Sequence, residues 1–226
     1  TRPYRQVVDS LDFLLVRAKL RAQLGTPDDA VADFSALLVE GKYRSEIPVR
    51  YGLARAYLRA NNLPAAEKQL QALGHLKVGN TMVETLAAEV AQKAGDVPGA
   101  VRILRAAYGR APQERAVSYA LIDLLLDTRQ PEEAARLLRD ELQSYTTDEK
   151  LYLMLGRAEE AMGHRFRQHS ATAQAYVLRG QVTAAVEQLE LAQKAPDGDF
   201  YEHSQVDAKL RELKAQLIAE ERNRRR

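Results

Sequence analysis

Tyr51, Arg55 and Arg59 stand four residues apart, and so do Asp123 and Asp127. On an α-helix that spacing stacks side chains along one face. A basic, aromatic stripe and an acidic pair are suited to holding a peptide segment. Arg pairs side-on with a carboxylate, and Tyr offers a wide contact at low entropic cost. Lys19 and Tyr119 occupy matching positions once the helices are aligned as below. The pattern predicts a partner-binding face of Lys19, Tyr51, Arg55, Arg59, Tyr119, Asp123 and Asp127, with both tyrosines open to the partner. The same residues also fit solvated helix faces whose charges pair between neighbours.

Other chemistry finds no support. The chain has no Cys, which excludes disulfides, thiol catalysis and Cys–zinc sites. Its four His are His75, His164, His169 and His203, and none begins an HExxH motif. His164 and His169 are five apart, whereas two imidazoles on one helix share a metal at i, i+4. With Arg165 and Arg167 they read as a solvated basic face. Asp197-Gly198-Asp199 lacks the other ligands of a calcium loop and reads as a turn. The adjacent pairs Glu132-Glu133 and Glu159-Glu160 point in different directions on a helix, a poor arrangement for paired acid–base work. No Gly-x-Ser-x-Gly elbow or Gly-rich phosphate loop is present. The expectation is a chain with no catalytic residue, metal or cofactor.

These side chains need a scaffold, and the composition is that of a helical one. The 226 residues are 46 % hydrophobic and 28 % charged, rich in Ala and Leu, with few β-branched runs. No apolar run approaches the ~20 residues that span a bilayer. A net charge of +2 argues against a dedicated nucleic-acid binder, and no base-reading side-chain pair recurs. No signal peptide is visible at Thr1, so the expectation is a mature chain, a cytoplasmic protein or a cut fragment.

A repeat organises the helices. Ala30, Ala66, Ala100 and Ala134 are 36, 34 and 34 residues apart. Twelve positions before each sit Ala18, Ala54, Ala88 and Ile122, and four positions after sit Phe34, Leu70, Leu104 and Leu138. Small residues where paired helices cross, with a bulky one beside them, are the tetratricopeptide-repeat (TPR) skeleton. Each pair is joined by a punctuated turn: Leu24-Gly25-Thr26-Pro27, Asn61-Asn62-Leu63-Pro64, Gly95-Asp96-Val97-Pro98 and Thr128-Arg129-Gln130-Pro131. Gly or Asn closes the first helix in a left-handed conformation, and Pro suits the first turn of the next.

The phase then changes. Gly156 holds the small position of a fifth first helix, about 148–162, but the next anchor, residue 168, is Gln. A long helix over 164–179 is expected to serve twice, as second helix of one repeat and first of the next. Repeats are placed at about 9–43, 45–78, 80–112, 114–146, 148–179 and 164–196. A capping helix over 200–221, with Val206, Leu210, Leu213 and Leu217 on one stripe, closes the array, and 222–226 form a disordered basic tail. The fold expected is all-α, a single TPR-type superhelical solenoid of about twelve antiparallel helices.

The ends carry a narrower likeness. His169-Ser170-Ala171-Thr172-Ala173-Gln174-Ala175-Tyr176-Val177-Leu178-Arg179-Gly180, then Ala184–Ala192 and Lys194–Tyr201, resemble the C-terminal end of bacterial periplasmic HExxH zinc metalloproteases with a TPR tail, the β-barrel assembly-enhancing protease family. Asp9–Ala18 resembles that family's first TPR helix. The resemblance implies a periplasmic location and a parent protease that cleaves misassembled outer-membrane proteins. It also implies zinc held only in a catalytic domain preceding this chain. The chain itself would dock the outer-membrane assembly machinery, a substrate segment or its own protease domain. The alternative is a free-standing TPR adaptor or cell-envelope scaffold without a protease, cytoplasmic if it stands alone.

Overall fold

The computed structural model describes residues 10–224. Among these it forms twelve helices and no strand: α1 Leu11–Arg21, α2 Pro27–Glu40, α3 Glu46–Arg59, α4 Leu63–His75, α5 Thr81–Lys93, α6 Val97–Arg110, α7 Arg115–Asp127, α8 Pro131–Ser144, α9 Glu149–Ala161, α10 Arg165–Leu178, α11 Val182–Lys194 and α12 Phe200–Arg224. They gather into two compact units, the first reaching to Ala120 and the second starting at Leu121. Asp9, the expected opening residue of the first repeat, lies outside the described residues.

The turns show why the chain folds back where it does. A left-handed residue sits in the turn within each helix pair: Gly25, Asn61, Gly95, Arg129, Gly163 and Gly180. Five of these turns share one bond. The amides of Asn62, Asp96, Gln130, His164 and Gln181 donate to the carbonyls of Tyr57, Ala91, Leu125, Glu159 and Tyr176, at 2.8–2.9 Å. Each bond reaches back five residues, the Schellman closure of a helix end. The first turn differs. There Thr26 caps α2 through a reciprocal pair with Asp29: Asp29 N donates to Thr26 Oγ1 at 3.1 Å, and Thr26 N donates to Asp29 Oδ2 at 3.2 Å.

In the first unit the first helices α1, α3 and α5 pack side by side, with α2, α4 and α6 behind them. Leu15, Phe34, Tyr51, Leu53, Leu73, Leu86 and Val90 form its core. Each fully buried Leu of this kind contributes roughly 1.5–3 kcal/mol. The expected crossing residues are buried, with Ala54, Ala66 and Ala100 wholly inaccessible. The closest approach is elsewhere. A Cβ on Gly52 would lie 2.3 Å from two ring carbons of Phe34, so only glycine lets α2 and α3 meet there.

In the second unit α10 packs against both α9 and α11, and α12 lies against α11. The left-handed turn residues are 34 apart from Asn61 through Gly163, but Gly180 follows after only 17. Gly156 admits Thr172 of α10 to the α9 backbone; an added Cβ would sit 2.7 Å from its Oγ1. Val206, Leu210 and Leu213 of α12 close a core with Phe166, Ala185 and Leu189. The helix continues through Arg224, so the tail expected at 222–226 is helical for its first three residues. No Gly or Pro follows Leu217, and Arg and Glu are good helix formers. Residues 225–226 lie outside the described residues.

Candidate partner-binding face

Of the seven residues expected to form a face, Lys19, Tyr51, Arg55, Arg59 and Tyr119 fall in the first unit, and Asp123 and Asp127 in the second.

In the first unit α3 is the central element. Tyr51 is 1 % exposed, part of the core instead of an open contact surface. The reason is that α3 is packed by α1, α2, α4 and α5 together, which leaves few of its positions outward. Burial pushes the Tyr51 hydroxyl above the usual phenol range, against the pull of the Arg55 charge. Arg55 lies over that ring, its Cζ 5.9 Å from the centroid, and donates from Nη1 to Tyr51 Oη at 3.4 Å. Its other edge faces Glu89 of α5, Nη2 to Oε2 3.6 Å. Arg55 is thus a partly exposed cation held in place by an aromatic ring and a carboxylate. Lys19 is half-buried on α1.

Arg59 does something the spacing alone did not show. It donates to the carbonyl oxygens of Ala22 and Gly25, the latter at 3.1 Å. These lie at the end of α1, where carbonyls lack helical partners and a cation is favoured by the helix dipole. Tyr119 is half-buried on α7, with the Arg115 guanidinium 5.4 Å above its ring and bonded to its hydroxyl.

In the second unit Asp123 and Asp127 share one cation. Arg157 of α9 places Nη1 3.3 Å from Asp123 Oδ1 and Nη2 3.6 Å from Asp127 Oδ1. The acidic pair is therefore compensated, though both carboxylates stay about half exposed and such a bridge is worth only ~0–1 kcal/mol. Arg55–Glu89 and Asp123–Arg157 each join residues one repeat length apart, so repeat-matched charges pair between neighbouring first helices.

The basic cluster on α10 is likewise divided among separate partners. His164 Nδ1 meets Glu159 Oε2 at 2.8 Å, Arg167 Nε donates to Glu202 at 3.0 Å, and His169 Nδ1 meets Gln188 at 2.9 Å. Asp197 accepts from the amide of Phe166 at 3.1 Å, and Asp199 caps α12 through Glu202. The Asp-Gly-Asp turn therefore spends its carboxylates on two helix starts. No sequence pattern announces a cleft in the second unit, because its walls come from five helices, α8 to α12, with no common spacing.

Comparison with known proteins bears on the same repeats. Residues 15–74 and 91–155 each match a tetratricopeptide-repeat family model. The chain is built of tetratricopeptide repeats. Over 92 % of its length this TPR chain is 24 % identical to the β-barrel assembly-enhancing protease of Escherichia coli (strain K12). Over 91 % it is 23 % identical to that of Yersinia pestis. It spans only 43 % and 42 % of those proteins. In fold it resembles the C-terminal part of a TPR repeat-containing protein from Cytophaga hutchinsonii, with a TM-score of 0.63 and 18 % identity. That likeness covers 91 % of this chain and 78 % of the other. A tetratricopeptide-repeat region matched to less than half of each protease fits a protein-interaction chain.

Proposed function

We propose that this TPR chain is the docking part of a periplasmic zinc metalloprotease of outer-membrane protein quality control. The observation that carries the reading is the similarity to β-barrel assembly-enhancing proteases across nearly the whole chain but under half of theirs. In this reading the chain supplies no chemistry. It recruits a partner, either the assembly machinery or a misassembled substrate, and presents it to a catalytic domain that holds the zinc.

The face proposed for docking is that of the first helices. In the first unit it offers Lys19 and the Tyr51-backed Arg55, with Glu89 beside them; in the second, Asp123, Asp127 and Arg157. A partner segment carrying charges of opposite sign gains specificity and encounter rate from such a surface. No helix among the described residues is long and apolar enough to cross a membrane.

The test uses the natural full-length protein. An HExxH motif upstream, periplasmic fractionation and chelator-sensitive cleavage of a misassembled outer-membrane protein, lost when this region is deleted, are expected. A full-length product that begins at this region and fractionates with the cytoplasm would leave the adaptor reading in its place.

A further inference from the structure

Phe13, Val16 and Leu20 of α1 stand 36 residues before Val49, Gly52 and Ala56 of α3, and 70 before Val83, Leu86 and Val90 of α5. On α3 and α5 all six positions are buried. There the preceding helix of the array packs on, α2 on α3 and α4 on α5, with Phe34 of α2 meeting Gly52 itself. No helix precedes α1 among the described residues. Phe13, Val16 and Leu20 are accordingly 52 %, 44 % and 58 % exposed, and Leu24 in the turn beyond continues the stripe at 70 %. Their spacing of three, four and four places them on one face. A contiguous apolar patch of this kind marks an interaction surface, whereas a scattered exposed leucine does not.

The other sides of α1 are engaged. Leu15, Ala18 and Ala22 are buried in the core. Asp12 accepts from Asn80 Nδ2, just before α5, at 2.7 Å. Arg21 reaches Asp33 of α2 at 3.3 Å and lies over the Phe34 ring, its Cζ 5.3 Å from the centroid. Arg17 sits one turn before Arg21 on the same border of the stripe. It is exposed and has no ion-pair partner among the described residues. The stripe therefore combines the register of a helix seat with a cation on its border. A second copy of the chain, paired antiparallel through α1, would bring Arg17 against Arg17, and like charges so placed oppose association.

We infer that the Phe13–Val16–Leu20 stripe binds an amphipathic helix of a separate protein, seated on α1 as α2 is seated on α3. The fitting helix carries leucine and alanine on one face, like α4, and a carboxylate on the border that meets Arg17. Apolar anchors one turn apart supply the contact, as in other helix-docking surfaces, and the Arg17 pair supplies the sign that selects the partner. This surface is separate from Arg55 and Glu89, so the inference goes beyond the docking face proposed above.

The test is fluorescence polarisation of the whole chain with a short labelled peptide, held helical by a lactam bridge. Its face is leucine and alanine, bordered by glutamate. The comparisons are the same peptide bordered by lysine, and one with serine in place of leucine. Both are expected to bind about tenfold weaker or worse. Arg17→Glu is expected to reverse the preference between the glutamate- and lysine-bordered peptides, which a merely structural role would not do. Val16→Ser with Leu20→Ser, at exposed positions, is expected to lose binding about tenfold while circular dichroism stays unchanged. Arg55→Ala is expected to leave binding as it is. Equal affinity for the two borders, or unchanged affinity in the Val16→Ser, Leu20→Ser chain, overturns the proposal. Concentration-dependent dimers abolished by Leu20→Ser give the face to a second copy and also overturn it. So does a peptide bound by this chain but not by the natural full-length protein, which gives the face to chain upstream. Each of these failures leaves the docking reading standing.

Discussion

Arg59 of α3 donates to the carbonyl oxygen of Ala22, the residue that closes α1, across 37 residues of sequence. With its second bond to Gly25 it fastens the first repeat to the second. Arg59→Ala is expected to destabilise the chain by about 1 kcal/mol, the usual net worth of such bonds at a partly solvated site. The loss should appear first as faster amide exchange at the end of α1. Unaltered exchange there together with an unaltered urea midpoint would contradict this role.

Gly52→Ala is expected to be costly despite its small size. The new methyl falls 2.3 Å from the Phe34 ring, which is itself 3 % exposed and cannot swing into solvent. Overpacking of this kind costs about 1–3 kcal/mol. Chemical denaturation should show a lowered midpoint with an unchanged slope, and Phe34→Leu should recover part of it.

Arg129 adopts a left-handed conformation, φ 57°, at a turn position where Gly95, Gly163 and Gly180 stand in other repeats. That conformation costs a residue with a Cβ roughly 1–2 kcal/mol. Arg129→Gly is expected to raise the melting temperature, the gain being trimmed by the greater unfolded-state freedom of glycine. A fall in melting temperature would mean that the arginine side chain contributes more than its backbone strain.

The Thr26–Asp29 pair makes one helix start pH-sensitive. The Thr26 hydroxyl, then its amide, hold the Asp29 carboxyl below the usual aspartate range. A depressed carboxyl stabilises the fold above the unfolded-state value, about 3.9. That contribution is lost as pH falls through the lower folded value. Carboxyl NMR titration should give Asp29 a midpoint below its ordinary value that moves part of the way back in Thr26→Ala, which removes the hydroxyl and keeps the amide donor. Removal of this cap should itself cost about 1 kcal/mol. An ordinary midpoint in the unaltered chain would contradict the pairing.

Most of the fold can be read from the sequence because its signals are local. Gly25, Asn61 and Gly95 mark turns by residue type, and Arg129 is recognised as a turn residue only because it stands 34 residues after Gly95. The double role of α10 follows from the missing small residue at 168. The face was less legible. Exposure of Tyr51 depends on how many neighbours surround α3, and Arg59 finds its carbonyls only once α1 and α3 are packed. Arg157, whose position matched those of Lys19 and Arg55, is what compensates Asp123 and Asp127. The cleft beside α12 is set by tertiary placement, so no spacing announces Glu159.

The central claim is that partners dock on the first helices. The direct measurement is site-specific photo-crosslinking in the natural full-length protein within its host. Single crosslinking residues would replace Lys19 on α1 and Glu89 on α5, and, for comparison, Arg102 on the exposed face of α6. Discrete adducts from positions 19 and 89, weakened by Arg55→Ala, with none from 102, are the expected result. Adducts only from position 102, or adducts at 19 and 89 indifferent to Arg55→Ala, would contradict the claim.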